Sequence, residues 1–238
     1  MEETKKAFLF VLAMLASVGF AGFLLLAFLM LSDEVIEKEI DLFDRLLMKV
    51  LLSIQNPALD FVMKLITELG SWWFIALLSF FTVFILWKRY KDKWSIFFLL
   101  WTLGGGGVLN LILKNLFERD RPSGDTLIES EGFSFPSGHA MMSLIMYGFL
   151  IYLISRLGRM KTTIISSVVL LVLVIAGVSY SRVYLEVHFP SDVLSGLLAG
   201  AIWLLVSLMA FEWVRWRQQH KKATMAFIKE SVRIYIKK

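Results

Sequence analysis

Cysteine is absent from the 238 residues and histidine occurs three times. The first absence excludes disulfides, Cys-ligated zinc, thiol nucleophiles and iron–sulfur clusters. The second makes each imidazole conspicuous, because His139 and His188 stand in short polar segments of a greasy chain. Charged residues are only 19% of the chain against 58% hydrophobic, with a mean hydropathy of +0.70. That balance excludes an ordinary soluble globular domain. Charges are also missing from the middles of the apolar blocks, which argues against a transporter, whose translocation path needs them there.

The apolar residues come in blocks long enough to cross a bilayer, since about 30 Å of hydrocarbon at 1.5 Å per residue needs about 20 residues. Six spans are predicted: Ala7–Leu31, Leu69–Trp87, Trp94–Leu113, Ala140–Leu157, Thr162–Tyr180 and Val193–Phe211. The first is too long for a signal-peptide core and lacks a small-residue cleavage site, so it reads as an uncleaved anchor. The fold class is all-α, a polytopic membrane protein forming one membrane-embedded domain over 1–238 with a basic tail at 212–238. With both termini on one side, roughly two-thirds of the 25 Lys and Arg residues fall on that side, which the positive-inside rule makes cytoplasmic. The basic tail then suits contact with a membrane surface better than with nucleic acid.

Between the first two spans, Leu42, Phe43, Leu46, Leu47, Val50, Leu51 and Ile54 recur at three- and four-residue intervals, with Asp41, Asp44, Arg45 and Lys49 among them. This is an amphipathic helix expected to lie in the membrane interface. Asn56-Pro57 should end it, a second short helix should follow, and Trp72 and Trp73 suit the headgroup belt. The glycines Gly104–Gly107 fall inside the third span, without the adjacent strand of a phosphate-binding loop; close helix packing or a local kink is the expectation. Gly196 and Gly200 repeat the small-xxx-small spacing in the last span.

Three segments carry the chemistry: KNLFERDRP from Lys114 to Pro122, PSGH from Pro136 to His139, and SRVYLEVHFPSD from Ser181 to Asp192. All three lie at the outer ends of the predicted spans, so they can meet on one face. Lys114, Arg121 and Arg182 offer one anion three cations, and an Arg fork suits phosphate oxygens. Any one of them alone would read as a snorkelling residue. Ser137 and Gly138 precede a helix, where free N–H groups and the positive dipole end bind anions; the Ser137 hydroxyl adds a donor, and His139 follows on the first turn. Asp192 stands four residues after His188, so across a turn its carboxylate can orient the imidazole and leave the other nitrogen free as a nucleophile. Neighbouring cations disfavour a dication at these residues, and neither metal nor cofactor is expected.

These segments resemble the three-part signature of the type 2 phosphatidic acid phosphatase superfamily, K-x6-RP, PSGH and SR-x5-H-x3-D, at every defining position. Within it, the six-span layout resembles bacterial integral membrane lipid phosphatases of the phosphatidylglycerophosphate and undecaprenyl-diphosphate type. The resemblance implies metal-independent removal of a terminal phosphate from a lipid phosphate or diphosphate at the outer face of a bacterial plasma membrane. It implies that His188 attacks phosphorus, Asp192 holds His188, and His139 protonates the leaving oxygen and then activates water. Lys114, Arg121, Arg182, Ser137 and Gly138 would hold the phosphoryl oxygens. The partners implied are a lipid phosphate and the bilayer, with no nucleic acid. Phosphotransfer to another acceptor is an alternative outcome at the same site. Vanadium haloperoxidases share the signature but are soluble, and an anion transporter or binding protein is the reading from a different class.

Overall fold

The computed structural model describes residues 2–122, 127–128 and 131–236, with side chains described no further than Gln219. Among these residues the regular structure is helical: α1 (Glu2–Ile36), α2 (Asp41–Leu52), α3 (Pro57–Glu68), α4 (Trp72–Ile85), α5 (Lys93–Phe117), α6 (Gly138–Leu157), α7 (Lys161–Tyr184) and α8 (Pro190–Ile236). Six stretches are long and apolar enough to cross a membrane: Ala7–Ile36, Trp72–Tyr90, Lys93–Phe117, Gly138–Leu157, Lys161–Tyr184 and Pro190–Gln219.

Local chemistry sets the helix ends. Asn56 accepts the Leu59 N–H at 3.0 Å and Pro57 takes the first turn of α3, where its missing N–H costs nothing. Ser71 caps α4 by accepting the Phe74 N–H at 3.4 Å. A π turn, Leu86–Tyr90, ends that span, and Asp92 caps α5 through the Ser95 N–H at 3.1 Å. Glu118, at φ 45, closes α5 in the left-handed region, so the chain leaves the helix just after Lys114.

Spans run further than hydropathy suggests. α1 continues past Leu31 to Ile36, and α8 begins at Pro190 and runs unbroken into the basic tail as far as Ile236. Backbone hydrogen bonding does not stop at the edge of the apolar stretch, so only the lipid-facing side chains end there.

Helix α6 is the most buried span; it packs against α5, α7 and α8, while α1 lies along α8 and α3 along α7. Helices in lipid gain little from the hydrophobic effect and associate through close van der Waals contact. Gly196 and Gly200 provide that contact, since a Cβ on them would meet the Ser137 carbonyl at 2.5 Å and the Met141 carbonyl at 2.9 Å. The Gly104–Gly107 run stays inside α5 and has two faces. Gly105 and Gly106 pack on Trp203 and Ile145, as expected, whereas Gly104 and Gly107 line an open apolar groove.

α2 and α3 meet at a bend of 117°. α2 presents Leu42, Leu46 and Val50 outward and turns Asp44 inward, where it is fully buried. Opposite the cleft described below, Arg156 on α6 donates to Asp92 at 3.0 Å and to Ser95 at 3.1 Å, and Tyr152 donates to Glu212.

Candidate active site

The breaks after α5, before α6 and between α7 and α8 fall at one end of the bundle. A cleft of about 920 Å³ opens there, lined by Lys114, Arg121, Gly138, His139, Arg182 and His188 together with Lys64, Thr67 and Glu68 of α3. Residues far apart in sequence thus converge, as expected from their positions at the span ends.

Each of the three motif cations has a protein partner. Lys114, on the last turn of α5, donates to the Phe133 carbonyl. Arg121 donates to the carbonyls of Glu131, Gly132 and Val187 at 2.8–2.9 Å, and its Nη1 lies 3.4 Å from His188 Nε2. Burial lowers the Arg121 pKa, against which the charge of Asp192 acts. Arg182 is 3% exposed, donates from Nη1 to Thr67 Oγ1 at 2.7 Å, and keeps an unpartnered Nε among the described residues. A buried guanidinium N–H left open is costly unless an anion fills it.

At the start of α6 the arrangement differs from the expectation in one respect. The Ser137 N–H is not free for an anion, because it donates to the Asp192 carbonyl at 3.0 Å. Ser137 Oγ makes no capping bond and has no partner among the described residues, so the hydroxyl remains available. The orphan donors of this helix start are the N–H groups of Gly138, His139 and Ala140, since Met141 closes the first turn onto the Ser137 carbonyl at 3.0 Å.

His188 is 2% exposed on the turn between α7 and α8, where its own N–H bonds the Arg182 carbonyl at 3.2 Å. Burial pushes its pKa down to about 4; Asp192 opposes that shift, while Arg182 and Arg121 add to it. The imidazole is therefore neutral at physiological pH. Its Nδ1 lies 3.5 Å from Asp192 Oδ2, within ion-pair reach but beyond the hydrogen bond expected from the spacing.

Nearer donors hold that carboxylate. Oδ2 takes the Phe189 N–H at 2.8 Å and the Ser134 hydroxyl, and Oδ1 takes Arg119 Nη1 at 2.6 Å. Arg119 also reaches Asp44 at 2.9 Å and Ser191 Oγ at 2.7 Å, and its guanidinium covers the Phe189 ring. The sequence reading missed Arg119, Ser134, Asp44, Ser191 and Thr67. Arg119 lies inside the KNLFERDRP segment, where its charge is legible. The role of Asp44 is not legible, because the helical period does not distinguish it from Asp41 one turn earlier.

Beside the cleft runs an apolar groove of about 790 Å³, bordered by Trp72, Ile75, Ala76, Phe80 and Val83 of α4 and by Leu100, Gly104, Gly107 and Asn110 of α5. Groove and cleft share Trp72, Gly138 and His139. A bound molecule can thus hold a polar head at the histidines and an apolar chain between the two helices.

A helical membrane protein with this site is a lipid phosphate phosphatase of the PAP2 superfamily, to which the chain belongs; the family model matches residues 95–217 and includes all three motif segments. Phosphatidylglycerophosphatase B of Bacillus subtilis (strain 168) is 33% identical over 187 residues, covering 75% of this chain and 88% of that protein. Among solved structures, the transmembrane PAP2 type phosphatidylglycerolphosphate phosphatase from Bacillus subtilis superposes with a TM-score of 0.74 at 28% identity, covering 82% of this chain and 96% of that one. LpxE of Aquifex aeolicus gives a TM-score of 0.57 at 26% identity, covering 68% of this chain and 92% of that one.

Proposed function

We propose that this phosphatase removes the terminal phosphate of a membrane lipid phosphate, of the phosphatidylglycerol phosphate, phosphatidic acid or undecaprenyl diphosphate class, through a phosphohistidine on His188. The observation that carries the proposal is the meeting, at His139, of an apolar groove and the cleft that holds Lys114, Arg121 and Arg182. His188 Nε2, facing the cleft, attacks phosphorus while Nδ1 keeps its proton toward Asp192. The bond from phosphorus to the lipid oxygen breaks, and His139, which enters the step as an imidazolium protonated when the phosphate anion binds beside it, gives that oxygen a proton and becomes neutral. Neutral His139 then takes a proton from water, the resulting hydroxide attacks phosphorus, and the P–N bond breaks to leave phosphate and free His188.

Lys114, Arg121 and Arg182, with the Ser137 hydroxyl and the Gly138 N–H, stabilise the charge on the phosphoryl oxygens in both steps. Asp192 stabilises the cationic imidazole that forms on phosphorylation.

The catalytic end faces outward and the termini are cytoplasmic, a reading supported by the distribution of basic residues. Purified protein in detergent should release inorganic phosphate from a panel of these lipid phosphates without any added acceptor. Release that depends on an acceptor hydroxyl would make the protein a phosphotransferase. Because the chain has no cysteine, Asp120→Cys and Arg159→Cys provide single labels. An impermeant thiol reagent should modify the first in intact cells and spare the second; the reverse pattern would turn the topology over.

A further inference from the structure

Asp192 poses an electrostatic problem. Arg119 grips Oδ1 at 2.6 Å, so the carboxylate that should support a cationic His188 is already neutralised by a guanidinium. The fold answers with a second carboxylate. Asp44 sits on the far side of Arg119, with Oδ2 at 2.9 Å from Nη2. Its other donors are the Ser191 N–H at 2.9 Å and the Ser191 hydroxyl at 2.5 Å. The Asp44 side chain is 1% exposed and that of Asp192 is 0%. Asp41, 3.8 Å from Arg119 but 45% exposed, adds a weaker, solvent-screened charge.

Along this line charges alternate: Asp44, Arg119, Asp192, then His188. Without Asp44, the Arg119–Asp192 pair presents no net charge to the imidazole. With it, the cluster presents a net negative charge, while Arg119 still fixes the orientation of the Asp192 carboxylate.

We infer that Arg119 and Asp44 are positioning residues for the histidine chemistry: Arg119 pins Asp192, and Asp44 restores toward His188 the negative charge that Arg119 removes. This rests on the reading of His188 as nucleophile and Asp192 as its partner. It also assigns a task to α2, which carries Asp44 from the segment between the first two spans down onto the start of α8.

Steady-state kinetics of the purified full-length protein in detergent test the inference, using a lipid phosphate across pH with Arg119→Gln, Asp44→Asn and the double variant; exposed Asp120→Asn serves as control. The other groups facing His188 stay in place: Asp192 from α8, Arg182 from α7, Arg121 after α5 and His139 from α6, with Lys114, Lys64 and Glu68 on the same cleft. Each single variant should lose about 10- to 100-fold in kcat with little change in KM, because neither side chain reaches the substrate.

The acid limb of kcat/KM should move in opposite directions. Removing the Arg119 cation favours protonated His188 and raises the limb; removing the Asp44 anion lowers it. The limb of the double variant should fall between those of the singles while kcat stays low. A merely structural pair would shift the limb in neither variant, or in the same direction in both, and that result overturns the inference. So does a kcat near that of the unaltered protein for Arg119→Gln.

If the neutral variants do not fold, Arg119→Lys and Asp44→Glu decide. Both keep the charge, so the limb should stay put while kcat falls; unaltered kcat in both rejects the positioning role. Substantial turnover by Asp192→Asn or His188→Ala would instead sink the underlying mechanism, which keeps the two failures distinguishable.

Discussion

Gly196 of α8 lies against the carbonyl of Ser137, and a Cβ at Gly196 would stand 2.5 Å from that oxygen. The contact sets how closely α8 approaches the start of α6. In the same place the Ser137 N–H donates to the Asp192 carbonyl, so one helix junction aligns PSGH with the residue beside His188.

Glycines in this chain should therefore differ sharply in tolerance. Gly196→Ala must push α8 away from backbone that cannot yield, and should lower both thermal stability in detergent and activity, by about 1–3 kcal/mol in the former. Gly104→Ala enters open space and should leave the melting temperature nearly unchanged. Equal melting temperatures for the two variants would contradict the packing described for α6 and α8.

His188→Ala should abolish turnover, and His139→Ala and Asp192→Asn should each reduce it by about 10²- to 10⁴-fold. A denaturing quench of His188-containing protein with labelled lipid phosphate should trap an acid-labile, base-stable phosphoryl group. Folded His188→Ala protein that still turns over would remove the nucleophile assignment.

Neutral replacements of Lys114, Arg121 or Arg182 should be strongly impaired, because phosphoryl charge must be balanced in a partly dehydrated cleft. Arg121→Lys should fail as well. Its fork spans three backbone carbonyls and reaches His188 Nε2 at 3.4 Å, a pattern that an ammonium cannot reproduce. Normal kcat/KM in the three neutral variants would reduce these cations to snorkelling residues.

With His188 held down to about 4 by burial, its imidazole stays unprotonated in the free enzyme well below the ordinary imidazole range. Once the ionisation of the substrate's own phosphate is divided out, the acid limb of kcat/KM should fall near pH 4 and not near 6.5. The sign for stability follows: between 6.5 and 4 the unfolded chain binds a proton that the fold refuses, so stability drops as pH falls through that window. A limb remaining near 6.5 after that correction would mean that the imidazole is not desolvated as described.

Phosphate release should persist in excess EDTA and be inhibited by vanadate. The cleft gathers Lys64, Lys114, Arg121 and Arg182 with helix N–H donors, which suit an anion; Mg²⁺ takes oxygen ligands, and among the described residues no set of three His, Asp or Glu side chains converges to hold a metal. Vanadate can become five-coordinate with an axial bond from His188 and so resemble the transition state. Loss of activity in EDTA that Mg²⁺ restores would contradict the first expectation, and indifference to vanadate the second.

The sequence alone determined the six spans, because a bilayer demands a minimum apolar length whatever the packing. It also determined the meeting of Lys114, Arg121, His139, Arg182, His188 and Asp192, since all stand at span ends on one side. The Asn56-Pro57 break between α2 and α3 was legible too, because capping is local chemistry. The tertiary structure decided what no local pattern encodes. Asp44 looks like any polar residue of an amphipathic helix, and only the docking of α2 on α8 turns it inward to Arg119 and Ser191. Ser137 looks like a helix cap, and only the approach of α8 at Gly196 diverts its N–H to Asp192. The groove beside Gly104 and Gly107 likewise exists only between helices α4 and α5. Period and propensity act over a few residues, whereas these relationships depend on which helix lies next to which.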